Sequence, residues 1–384
     1  MISSIDEIIA EAKAGRMFIL VDDPNRENEG DLVIPAQFAD SHTINFMTKY
    51  GRGLVCLTIN QEQAHKLKLN MMSNNNQSMF KTAFTTSIEA ASGITTGISA
   101  HDRAHTIKTA INSHATDKDI VSPGHVFPII AQNGGVLVRA GHTEASVDIA
   151  RLAGLSPSGV ICEIMHDDGT MARMPELIQF AKTHNLKIGT IADLIAYRRK
   201  YEKLVLPICE STLSTQYGEF KAVVYQNLID QIEHVALIKG NISSEQPVLV
   251  RMHSIDILSD LIKDTSYHKQ HILDQSFEII SKEGGVIVLI RDLRTDLISH
   301  NLINRDKNQD SNIHQIKNYG IGAQILIDLG IKNMTLISNN QKIVTALEGF
   351  DINLVGYRKL NVSSSTPNFN KIKTTLTVIN SHKK

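Results

Sequence analysis

No apolar run in this 384-residue chain is longer than a strand, and strand-sized runs alternate with stretches of helical spacing. The longest, GGVLV (134–138) and GGVIVLI (284–290), fall far short of the ~18–20 residues that a transmembrane helix needs. Such alternation leads to sheets covered by helices, and we expect an α/β (α+β) chain with two domains, each a mixed sheet flanked by helices. Its length allows two or three domains of ordinary size. Hydrophobic residues make up 42% and charged residues 21%, enough apolar surface to pack them.

The first 200 residues set out the pattern. MISSIDEIIAEAKAG spaces Ile5, Ile8, Ile9 and Ala12 at helical intervals between acids, unlike a signal or transit peptide. MFILVDD (17–23) and LVIPA (32–36) predict a hairpin around RENEGD (26–31). SHTINFMTKYG (41–51) predicts helix and GLVCLTI (53–59) strand; NMMSNNNQS (70–78) is a polar loop. TAFTTSIEA (82–90), GGVLVRA (134–140) and VICEIM (160–165) read as strands. AHDRAHTIKTAIN, a segment opening at Thr143 and PELIQFAKTH (175–184) read as helices. YEKLVLPICEST (201–212) looks like a linker. Beyond it, VALIKG (235–240), PVLVRM (247–252) and GGVIVLIRD (284–292) predict strands, NRDKNQDSNIHQ (304–315) a loop, and the rest alternates helix and strand.

Charge excludes some partners. The formal net charge is −1, from 39 basic and 40 acidic side chains, so no global field attracts nucleic acid or an acidic membrane. The cysteines, Cys56, Cys162 and Cys209, form no C-x-x-C pair and suit a reducing, cytoplasmic setting.

Polar clusters sit at strand ends and turns. RENEGD could be a solvated turn or a functional loop. RAGHTEA (139–145) joins Arg139 and His142 to a helix start expected to be capped by Thr143, a ready anion site. His125 in PGHVFP could be a core histidine, and Glu163 in VICEIM could pair with a buried arginine. SGITTGISAHDR adds Thr95, Thr96, Asp102 and Arg103 in a small-residue turn. Carboxylates with a histidine suit a hard divalent ion such as magnesium or manganese. Together these point to a metal-assisted enzyme acting on a phosphorylated, hydroxyl-rich small molecule.

VDDPNRENEGDLVIPA, TAFTTSIEA, TTGISAHDR, PGHVFP, GGVLVRAGHTEASVDIARLAG, GVICEIM, DDGTMAR and IADLIAYR, in order over residues 1–203, resemble the motifs of 3,4-dihydroxy-2-butanone-4-phosphate synthase. The resemblance implies that fold, a homodimer, two magnesium or manganese ions per site, and conversion of D-ribulose 5-phosphate to L-3,4-dihydroxy-2-butanone 4-phosphate and formate. It implies Glu27 and His142 as metal ligands and His125 and Glu163 as catalytic residues. Substrate would be held by Arg26, Glu27, Asp31, Arg139, Ala140, Gly141, His142, Thr143 and Glu163. Residues 207–384 resemble a GTP cyclohydrolase II domain through VALIKG, VRMHS (250–254), YGIGAQILIDLG (319–330) and SNNQKI (338–343). Where that family holds zinc with three cysteines, this chain has Asp256, Tyr267 and Lys269, and no cysteine follows Cys209. His253, Asp256, His268 and His271 offer a different spacing, and the arginine-rich catalytic segment is replaced by LRTDLIS (293–299). We therefore expect no zinc and a degenerate second domain, which could instead serve as a regulatory or partner-binding module.

Overall fold

The computed structural model describes residues 2–242, 246–264, 271–292, 297–304, 312–339 and 352–360. The protein divides into two compact units, Met1–Tyr201 and Glu202–Lys384.

The first unit runs α1 (Ile5–Lys13), β1 (Phe18–Val21), β2 (Gly30–Pro35), α2 (Ser41–Phe46), β3 (Cys56–Ile59), α3 (Gln61–Lys66), β4 (Ile88–Ala90) and α4 (Ala100–Ala110). It continues with β5 (Ile120–Ile130), α5 (His142–Leu152), β6 (Ser158–Glu163), α6 (Met174–His184), β7 (Lys187–Thr190) and α7 (Ile191–Tyr201). The seven strands form one sheet in the order β4-β5-β3-β6-β2-β1-β7. It is mixed: β1 lies parallel to β7 and β3 to β5, while the remaining neighbours are antiparallel. Helices cover both faces. Ile19 and Val21 of β1 join the core under α2, α4 and α6, whereas Phe18 and Leu20 join the core under α1, α5 and α7. Side chains alternate across a strand, so a strand buried on both faces reads as an unbroken apolar run. Ser4 starts α1 with a capping box to Glu7, a device typically worth about 1 kcal/mol.

The second unit contains β8 (Val205–Thr215), β9 (Gly218–Asn227), β10 (Glu233–Lys239), β11 (Val248–Ser254), α8 (Ile272–Glu283) and β12 (Gly285–Ile290). Then follow α9 (Leu297–Asn304), α10 (Asn312–Asp328), β13 (Asn333–Ile337) and β14 (Asn353–Arg358). Its mixed sheet has the order β14-β13-β11-β12-β10-β9-β8. Here too the core has two faces: Val286, Val288 and Ile290 pack with α10, and Ile287 packs with Ile280 of α8.

Several local expectations change. GGVLVRA is not a strand: Gly134 and Gly135 take φ of 91° and 61°, and the backbone turns through a short 3-10 helix, Gly135–Leu137. The cause lies elsewhere in the sequence, because the Asp148 carboxylate accepts the Val136 N–H at 2.8 Å and Arg198 donates to the Gly134 carbonyl at 2.7 Å. Gly141, not Thr143, holds the cap position of α5, and Thr143 is buried within its first turn. TAFTTSIEA is a strand only at its end, preceded by isolated bridges at Phe84 and Thr85. The supposed linker at 201–212 is mostly β8, paired along β9 from Val205. Within the polar tract, residues 305–311 lie outside the described residues, as does QKIVTALEG (341–349), and α10 already begins at Asn312.

Candidate active site

The loop between β1 and β2 is built around Asp22. Its fully buried side chain accepts from Arg26 at 2.6 Å, from the Glu27 N–H at 3.2 Å and from the Glu29 N–H at 2.9 Å. Asn28 takes a positive φ of 56°, and Arg173 donates to the Glu27 carbonyl at 2.8 Å. The loop is thus a folded platform, not a solvated turn.

His142 opens α5 and points into that platform. Its Nδ1 lies 3.8 Å from both Glu27 Oε2 and Asp31 Oδ1. Asp22, Glu27 and His142 place one ligand atom each within 4.8 Å of one another. Asp31 sits on β2 directly opposite Glu163 on β6, so the strand ladder itself brings those carboxylates together. Burial pushes the Asp31 carboxyl up to about 7, with Glu163, Glu27 and Glu29 adding to the rise against His142. Burial alone would lower the His142 imidazole; the carboxylates of Asp31, Glu27 and Asp22 outweigh it and raise it to about 9. Asp31 Oδ1 and His142 Nε2 are buried and have no hydrogen-bond partner among the described residues. Buried polar atoms are normally satisfied. An acid-rich pocket with an orphaned oxygen and an orphaned imidazole nitrogen fits a hard divalent cation.

Arg26 stacks over Phe80, with its guanidinium carbon 4.7 Å from the ring centroid. Arg139 donates to the Phe80 carbonyl at 3.2 Å, to Thr82 Oγ1 at 3.0 Å and to Glu144 Oε2 at 2.6 Å. Those contacts hold the guanidinium at the N-terminus of α5, where a methyl group on Gly141 would come within 2.5 Å of Arg139 Nη1. Among the described residues Glu163 has no arginine partner of the kind its sequence context allowed; its Oε2 accepts the Leu54 N–H at 2.8 Å. Gly53 makes room for it, since a methyl group there would come within 2.5 Å of Glu163 Oε2.

His125 is no core histidine, its side chain being 45% exposed. It stands on β5 and pairs through Nδ1 with Glu89 of β4. The β3–β5 pairing runs from Cys56↔Phe127 to Ile59↔Ile130, so His125 lies just before it.

Sequence reasoning missed Asp22 and Glu89. Asp22 ends an apolar strand in VDD, and Glu89 interrupts the strand IEA just as Glu163 interrupts VICEIM, so the same signal was present for both. In the second unit, His253 Nε2 lies 2.8 Å from Asp260 Oδ2. The Asp256 side chain accepts the Leu258 N–H at 3.0 Å and from Asn301 at 3.3 Å. Tyr267, His268 and Lys269 lie outside the described residues, as do positions 293–296.

The 3,4-dihydroxy-2-butanone 4-phosphate synthase family model matches residues 6–197, and the GTP cyclohydrolase II model matches residues 207–359. A 3,4-dihydroxy-2-butanone 4-phosphate synthase of Photobacterium phosphoreum is 49% identical over 93% of this chain and 99% of that protein. The crystal structure of RibBX, a two-domain 3,4-dihydroxy-2-butanone 4-phosphate synthase from A. baumannii, superposes with a TM-score of 0.76 at 43% identity, covering 93% of this chain and 99% of that one. A synthase solved in complex with two magnesium ions matches with a TM-score of 0.50 at 39% identity, covering 52% of this chain and 98% of that one. The chain belongs to the 3,4-dihydroxy-2-butanone 4-phosphate synthase family of riboflavin biosynthesis, with a GTP cyclohydrolase II-like domain behind its synthase domain.

Proposed function

We propose that residues 1–203 form a synthase domain that converts D-ribulose 5-phosphate to L-3,4-dihydroxy-2-butanone 4-phosphate and formate, using two magnesium or manganese ions held through Glu27 and His142. The observation that carries this reading is the Asp22–Glu27–His142 cluster beside the orphaned Asp31 Oδ1 and His142 Nε2. Bound there, divalent ions supply stabilisation for negative charge that develops on substrate oxygens. The rest is work for the protein's own residues. Arg139 and the first turn of α5 at Ala140, Gly141 and Thr143 orient the phosphate, because guanidinium and helix dipole both favour a dianion. Arg26 and Asp31 position the sugar hydroxyls. His125 and Glu163 move protons on and off carbon and oxygen. We further propose a cytoplasmic homodimer.

The second domain we read as catalytically silent toward GTP. A catalytic zinc needs three protein ligands of fixed geometry and an open position for water. The position of the first family cysteine is Asp256, already engaged by Leu258 and Asn301. The GTP cyclohydrolase II match over residues 207–359 keeps a second reading in view, a bifunctional enzyme, and the missing cysteines weigh against it.

In the deciding experiment, D-ribulose 5-phosphate is given to the purified full-length protein and formate is followed. Release is expected with magnesium, should stop in chelator and should return with magnesium or manganese. Full turnover in chelator would overturn the metal assignment, and no formate under any condition would overturn the reaction.

A further inference from the structure

The pairing of strands β4 and β5 contains an irregularity that the reaction alone does not explain. Ile88 pairs with Val126, but its neighbour Glu89 pairs with Val121, so residues 122–125 bulge out of the ladder. Bulges re-aim side chains, and this one carries His125 at its end. Ser87 ties it down: Ser122 Oγ donates to the Ser87 carbonyl at 2.6 Å, and the Gly124 N–H donates to Ser87 Oγ at 3.1 Å. Gly124 lies directly on the Ile88 backbone, where no side chain could fit.

Glu89 meets His125 at Nδ1, and a second segment closes over the pair. At Gly97, with φ of 87°, a methyl group would overlap the Glu89 carboxylate and come within 2.8 Å of His125 Nδ1. That turn is anchored from below. Asp102 accepts the Gly97 N–H at 3.1 Å and the Thr95 hydroxyl at 2.7 Å, and its own N–H is capped by Ser99 Oγ at 3.0 Å. The Glu89 side chain is 16% exposed, against 45% for His125. The carboxylate is therefore the sheltered partner and the imidazole the presented one.

We propose that Glu89 is the positioning residue of His125, and that the turn from Thr95 to Asp102 holds the two in register. This rests on the reading of His125 as a proton-transfer residue. A carboxylate only accepts hydrogen bonds, so it keeps the proton on Nδ1 and leaves the Nε2 lone pair directed outward for exchange with substrate. Without it both tautomers compete and the ring is free to turn.

Glu89→Gln, the same shape with an amide that can donate, tests this. The expected result is a kcat at least about 100-fold lower, with KM for D-ribulose 5-phosphate and magnesium binding within about threefold of the parent. The pair should act as a unit, so Glu89→Gln/His125→Ala should be no slower than His125→Ala alone. Nitrogen-15 NMR of the His125 ring in the unmutated protein should show the Nδ1–H tautomer, a readout that does not depend on the variant folding. A parent ring protonated on Nε2, or a Glu89→Gln enzyme with the parent kcat while His125→Ala is inactive, would overturn the role of Glu89. Parent-like turnover by His125→Ala would instead overturn the reading of His125 itself.

Discussion

At the residue scale, Asp22 and Glu27 touch the same guanidinium but have different work. Glu27 carries a half-buried carboxylate facing His142, whereas Asp22 is spent on the loop backbone through two N–H groups. Glu27→Gln and His142→Ala should lower turnover by orders of magnitude and weaken magnesium binding while leaving the melting temperature close to the parent value. Asp22→Asn should lower both, because the Arg26 guanidinium and the loop amides lose a buried charge-assisted acceptor, an effect of about 1.5–3 kcal/mol. Calorimetric magnesium titration beside thermal melts separates the two behaviours; equal melting temperatures for all three variants would contradict it. Glu163→Ala should cut kcat by roughly 10²–10⁴-fold with a smaller change in KM. If it merely melts earlier at unchanged rate, the hydrogen bond to Leu54 is its whole role.

At the element scale, the turn that delivers Arg139 and His142 is clamped by one buried ion pair. Arg198 of α7 lies 2.8 Å from Asp148 of α5, and both also hold the Gly134–Val136 backbone. Breaking a buried pair leaves an uncompensated charge, so Arg198→Met should cost about 3–5 kcal/mol in denaturant titration. Gly135→Ala should cost at least roughly 1–2 kcal/mol for its left-handed backbone, and more because the new methyl meets the Asp148 carboxylate. The turn below Glu89 has a pH signature. The hydrogen bond from Thr95, with those from Gly97 and Ser99, holds the Asp102 carboxyl at about 2, below its ordinary 3.8. A depressed pKa stabilises the folded state above the unfolded value and loses that contribution as pH falls through the folded one. The stability difference between the parent and Asp102→Ala should therefore be full at neutral pH and shrink between about pH 4 and 2. A difference that persists unchanged to pH 2 would mean that Asp102 acts by packing alone.

At the scale of the whole molecule, every buried core cluster among the described residues belongs to one unit or the other. Residues Glu202, Lys203 and Leu204 already make their contacts to Gln324 and Asp328 of the second unit. A protein ending near residue 205 should thus stay soluble and release formate, whereas one ending before Arg198 should not, because Asp148 would lose its buried partner. The full-length protein should release neither formate nor pyrophosphate from GTP, and elemental analysis should find no stoichiometric zinc. One tightly bound zinc per molecule, or hydrolysis of GTP, would show that the second domain retains a cyclohydrolase centre.

Strand runs, helix periods and the glycine-rich turns were legible because they are local. MFILVDD reads as a strand whatever surrounds it, and Ile5, Ile8, Ile9 and Ala12 mark a helix by their spacing. The candidate site was legible for a related reason: its residues stand in short motifs at strand ends, so RENEGD, RAGHT and VICEIM are visible one at a time. What decided between their alternatives was contact between distant segments. GGVLVRA has the composition of a strand and becomes a turn because Asp148 and Arg198 capture its backbone. Glu89 looks like any strand carboxylate until a bulge thirty-odd residues later lifts His125 onto it. Asp22 becomes the centre of a loop only once folding brings the Arg26 guanidinium and the Glu27 and Glu29 N–H groups onto its buried carboxylate. Local pattern determined the elements and the motifs; the burial of charges beside particular partners, which no stretch of sequence contains by itself, decided the site.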